Sequence, residues 1–104
     1  MNLQMAHLIG CIQTLLSHDE RLIYFFFHHK KAELRLGSEE LLAEARFLSR
    51  GEYILIQAAL DFWNGQGGLR LGDALATLDD ENITALVKAM LALREIEFPG
   101  DIQC

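Results

Sequence analysis

Between Tyr53 and Asn64 the chain reads YILIQAALDFWN, nine apolar side chains and three polar ones, Gln57, Asp61 and Asn64, spaced by four and then three residues. At helical periodicity that spacing gathers all the polarity into one narrow seam. A helix apolar almost all round has to be covered by other elements, so it belongs at the centre of a domain. Ser49 and Glu52 have the spacing of a capping box, and Asn64 with Gly65 supplies a stop. The expected central element is therefore a buried helix over 52–64, with Trp63 in its apolar face and a bend near Arg50 and Gly51 before it.

With 104 residues there is material for one core to surround that helix, and a second independent domain would be too small to hold itself together. In residues 2–17, Met5, Leu8, Ile9, Ile12, Leu15 and Leu16 recur at spacings of three and four. That predicts an amphipathic helix with Gln4, His7, Cys11, Thr14 and His18 toward solvent. Gly10 within it weakens the helix and suggests a close neighbour. After Gly37, Ser38 opens EELLAEARFLS, whose buried side is Leu41, Leu42, Ala45 and Leu48. Near the C-terminus, Ile83, Leu86, Val87, Met90 and Leu91 make a helical stripe, and Ala85, Ala89 and Ala92 make a small-residue face for which Ala58 and Ala59 are natural partners.

RLIYFFFHHKKAELRL, residues 21–36, supports two readings. Leu22–Phe27 is a β-favouring run, 28–31 a turn, and Ala32, Leu34 and Leu36 alternate with charges, which gives a hairpin. Alternatively Ser17 and Glu20 cap a helix with Leu22, Ile23, Phe26 and Phe27 on one face. The hairpin is favoured. The fold expected is mainly α, a compact single-domain multi-helix fold around the central buried helix at 52–64, with the short hairpin at 21–36. The domain covers 1–98, and 99–104 form a short C-terminal tail.

Charge limits the partners. The net charge is −6, but residues 1–36 carry +1 and all four histidines, so residues 37–104 carry −7. An acidic body opposes general nucleic-acid binding, which needs clustered Lys and Arg. Cys11 and Cys104 form neither a disulfide framework nor a zinc pattern, which points to a reducing, cytoplasmic setting. The uncharged first 17 residues have no basic start or cleavage site, so they read as a helix and not as a signal peptide. No stretch is long and apolar enough for a membrane span.

The chemical constellations have simpler explanations. His7 and Cys11 are one turn apart, but no converging set of four ligands is visible among the histidines and cysteines, so no metal or cofactor is expected. GQGGLRLG follows a helix and lacks the Lys-Ser/Thr ending of a phosphate loop. His28 and His29, followed by Lys30 and Lys31, are candidates for contact with an anion or acidic partner. Asp61 is either a partner contact or a structural carboxylate capping a neighbour or meeting Arg70. No nucleophile and base stand at a recognisable spacing, so catalysis has no positive support.

The arrangement 53–64, 69–71, 73–78 and 81–95 has the order of a winged helix-turn-helix, with Lys88 and Arg94 as its basic residues. Its recognition helix, however, starts on Asp79, Asp80 and Glu81. The leading expectation is a small cytoplasmic, non-enzymatic protein-interaction or regulatory module that binds a protein partner or a second copy of itself. The alternatives are a DNA-associated regulator using helix 81–95, and a small-molecule binder or minor enzyme using Asp61 and the histidines. The candidate interaction residues are Asp61, Trp63, Lys88, Arg94, His28 and His29.

Overall fold

A computed structural model describes residues 3–95. The element order is α1 (Leu3–Leu15), α2 (Glu20–Phe26), α3 (Ser38–Ala45), α4 (Arg50–Asn64), α5 (Leu71–Thr77) and α6 (Asp80–Leu93). The tail at 99–104, with Cys104, lies outside the described residues, and no strand is formed among those described.

Helix α4 starts on a complete capping box: the Glu52 N–H donates to Ser49 Oγ at 3.2 Å and the Ser49 N–H to Glu52 Oε1 at 3.0 Å. Arg50 and Gly51 are thus its first turn, and the expected bend sits earlier, at 46–49. Ile54, Leu55, Ile56, Ala58, Ala59 and Leu60 are buried, and α4 packs against α1, α2, α3 and α5. Gly65 ends it with φ 77°, its N–H donating to the carbonyls of Leu60 and Asp61. Positive φ is where glycine is least strained.

The hairpin expected at 21–36 is replaced by helix α2. Asp19, not Ser17, caps it, accepting from the Arg21 N–H at 3.0 Å. What remains of the hairpin is one antiparallel bridge, Phe27 to Leu34, flanked by the bonds His28 N–H to Glu33 O and Arg35 N–H to Phe26 O. The reason lies in Phe26 and Phe27, which are both buried. Adjacent strand residues point to opposite faces, so a strand on one side of a helical core would push one ring into water. A helix places Leu22 and Phe26 inward, and the extended backbone at Phe27 (φ −97°, ψ 148°) lets the next ring follow. Phe25 is half-buried, with the Arg35 guanidinium 4.9 Å above its ring.

Other boundaries moved for local reasons. Gly37 takes the N-cap of α3, leaving Ser38 Oγ to accept from Asn64 Nδ2 at 2.8 Å. Leu69–Leu71 form no strand, because Leu71 is already the first residue of α5 behind Arg70 as N-cap. Of the small face of α6, Ala89 lies in the same core cluster as Ala58 and Ala59, while Ala92 is exposed. The most extensive helix pairing is between α6 and α1, and α6 buries Ala85, Leu86 and Ala89. That pairing shifts the solvent side of α1, so Cys11 is buried while Gly10 is exposed, with no neighbour near the place of a Cβ.

Candidate functional site

The polar seam of α4 is spent on the loop that follows it. Asp61 Oδ1 accepts from the N–H groups of Gly67 (2.8 Å) and Gly68 (3.2 Å), and Oδ2 from that of Leu69 (2.9 Å). Gln57 Nε2 donates to the carbonyls of Gly67 (3.2 Å) and Gly68 (3.4 Å), and Asn64 Oδ1 accepts from the Gln66 N–H. The loop is thus folded back on the helix that precedes it. Gly67 is the residue that permits this, since a Cβ there would lie 1.9 Å from the Gln57 carbonyl oxygen. Asp61 meets backbone amides and not Arg70. The Gly-Gln-Gly-Gly run and the seam were both visible in the sequence, but their mutual contact was not.

Trp63 is half-buried and closes the core from the same helix. Its ring stands edge-on to Phe26 (6.4 Å) and Phe27 (5.9 Å), which are themselves edge-on at 4.9 Å. Asp61 and Trp63 therefore hold the fold at the C-terminal end of α4, one through the loop and the other through α2.

Lys88 and Arg94 are exposed on α6, but at about 3.6 residues per turn they lie roughly 120° apart around its axis. They do not form one basic stripe. Lys88 borders a groove between α6 and the end of α1, with Thr14, Ser17, His18 and Thr84. The first turn of α6 is acidic, with the Asp79 carboxylate accepting from the Asn82 N–H at 2.8 Å and Glu81 3.2 Å from His18 Nδ1. Phosphate would meet carboxylates there.

A polar cleft of about 330 Å³ lies where the caps of α2, α4 and α6 meet. Its acids already hold partners: Asp19 and Glu52 share the Arg21 guanidinium at 2.6 and 3.2 Å, and Asp79 caps α6. Elsewhere, Cys11 Sγ lies 3.9 Å from His7 Nε2. Burial pushes its thiol up, so it favours the neutral form, which is a poor nucleophile. Among the described residues no group of three His, Cys, Asp or Glu side chains is placed to hold a metal ion, and no helix is long and apolar enough to cross a membrane.

His28 and His29 stack at 4.7 Å and 18°, in the loop between Phe27 and Leu34. With Lys30 and Lys31 they border a second cleft, formed with α1 and α2. Sequence reasoning also missed a set of large apolar side chains left outside the core. Leu71 and Leu75 of α5 are 65% and 64% exposed, Val87 and Met90 of α6 are 41% and 48% exposed, and Phe47 is 92% exposed. Val87 and Met90 share a helical stripe with Ile83, Leu86 and Leu91, and only the pairing of α6 with α1 shows that these two face away from the core.

Compared with known proteins, the chain matches no family model, no curated protein and no solved structure.

Proposed function

We propose that this domain works by binding another protein, in a reducing cytoplasmic setting, through the outer faces of α5 and α6. The observation that carries the reading is the pair Leu71 and Leu75, one turn apart and each about two-thirds exposed. Ala74, with Leu78 just past the helix end, already fills the core side of the same short helix. Scattered exposed leucines are ordinary, but two on one face of a seven-residue helix make a patch. On the next helix Val87 and Met90 repeat the pattern three residues apart, close to one turn, and Arg94 continues their line. Both helices belong to the part of the chain that carries −7, so the partner suited to them presents apolar side chains flanked by Lys or Arg. A second copy would bring a like-charged surround, which disfavours self-association relative to a basic partner.

The test uses the tagged protein and its Leu71→Ser/Leu75→Ser variant, each incubated with lysate with and without nuclease treatment, alongside sedimentation over a wide concentration range. The expected result is a protein retained by the wild type and lost by the variant, while both keep the same helicity and urea midpoint. Retention that vanishes with nuclease would move the function to nucleic acid. A concentration-dependent dimer abolished by the double substitution would make the partner a second copy. Equal retention by both proteins would overturn the assignment to α5.

A further inference from the structure

We infer that the cleft beneath the His28–Lys31 loop is a binding site for a small amphipathic anion, a compound with a carboxylate or phosphate head on an apolar body. The inference is independent of the protein-binding face of α5 and α6. The cleft has a volume of about 310 Å³, at the small end of the usual range for ligand sites. Its floor is apolar: Ile9 from α1, Ile23 from α2, and the buried ring of Phe27. Tyr24 forms a wall, 60% exposed, its hydroxyl donating to Glu20 at 3.3 Å.

The rim is of opposite character. Two imidazoles and two ammonium groups occur in four consecutive positions, His28 to Lys31, of a chain whose net charge is −6. Such a local reversal of sign draws an anion toward this loop and away from the rest of the surface. The loop is also ordered for the task. The Lys30 N–H donates to His28 Nδ1 at 3.1 Å, which makes Nδ1 the acceptor and puts the proton of the neutral ring on Nε2. That Nε2–H has no partner among the described residues and is a ready donor to an oxyanion. His29 stacks on the same ring and limits its rotation. Below, the Phe27–Leu34 bridge ties the loop to the core. An apolar floor with a few convergent donors at the mouth recognises an amphipathic ligand, since a fully solvated ion gains nothing from the floor and a neutral hydrocarbon nothing from the rim.

The test is amide-resolved NMR titration with 4-phenylbutyrate, its neutral amide, and phenyl phosphate, repeated on the Lys30→Ala/Lys31→Ala variant. Both lysine side chains are exposed and the bond to His28 comes from the backbone, so the loop survives the substitution. At least one anion should saturate, moving the amides of Ile9, Ile23 and residues 27–32, and the tighter of the two identifies the head group. The neutral amide, and the anion on the double variant, should bind about tenfold more weakly. Equal binding of the neutral amide, equal binding by the variant, or shifts confined to α5 and α6 would each overturn the site. So would a polyglutamate peptide that moves the loop when neither small anion does, which would make the rim a protein contact.

Discussion

Replacing Gly67 with alanine should be the most damaging small change in the Gly65–Gly68 loop, for a reason unrelated to backbone conformation. The new Cβ would stand 1.9 Å from the Gln57 carbonyl oxygen, 2.8 Å from its carbon and 2.9 Å from the Asp61 nitrogen. Ordinary contact begins near 3.4 Å, so the loop must retreat by roughly 1.5 Å. The Asp61 hydrogen bonds, at 2.8, 3.2 and 2.9 Å, do not survive such a retreat. Three bonds to a carboxylate, partly replaced by water, set the cost at about 3 kcal/mol. Gly65 and Gly68 offer the internal control. Each has positive φ, 77° and 68°, but nothing lies within 4 Å of a Cβ there, so alanine costs only the left-handed strain of about 1 kcal/mol. Urea denaturation followed by the single tryptophan, Trp63, reads the difference. The Gly67→Ala midpoint should fall by about 1 to 2 M and the other two by well under 1 M. Because the Asp61 bonds are already lost, adding Asp61→Ala to Gly67→Ala should cost little more, a strongly non-additive pair. A Gly67→Ala variant as stable as Gly65→Ala, or full additivity with Asp61→Ala, would refute the loop clamp.

Two further changes probe other joints of the fold. Trp63→Ala removes the ring that meets both Phe26 and Phe27 edge-on, and should cost about 3 kcal/mol in thermal or urea unfolding; a near-neutral result would show that the rings do not close the core. The Arg21 guanidinium, bonded to Asp19 at 2.6 and 3.0 Å, holds that carboxyl below the usual carboxylate range. A depressed folded value means that the pair's contribution is present above the ordinary aspartate range and is lost as pH falls through the folded value. Arg21→Ala should raise the NMR titration midpoint of Asp19 toward the ordinary value; an unmoved midpoint would remove Arg21 as the cause.

How much of this was legible in the sequence depends on the length of each periodic pattern. Helices α1, α3, α4 and α6 each carry enough turns for apolar spacing to show, and the Ser49–Glu52 box marked a true start. Helix α2 has seven residues, too few for a period to outweigh its β-favouring composition. Its identity depends on where Phe26 and Phe27 can both be buried, and that depends on Trp63, far along the chain. The core-facing side of α6 is left open by the sequence for a similar reason. Two stripes were readable, but which one meets the core is decided by α1, and burying the alanine side leaves Val87 and Met90 outside.

The candidate sites sort by the same physics. Gln57, Asp61 and Asn64 were conspicuous because polarity in an apolar helix is rare, yet they are conspicuous for structural work: every one of them bonds within the chain. Buried or half-buried polar groups must be satisfied internally, so a seam of this kind is used up by folding and leaves few donors or acceptors for a partner. What remains for recognition is surface that folding does not need. Leu71, Leu75, Val87 and Met90 add nothing to the core, and the His28–Lys31 rim holds positive charge that an acidic domain has left unpaired by any described carboxylate. Neither surface has a local sequence motif. The first becomes visible only when the opposite faces of α5 and α6 are seen to be occupied, and the second only when Ile9 of α1 is brought beneath a loop some twenty residues away.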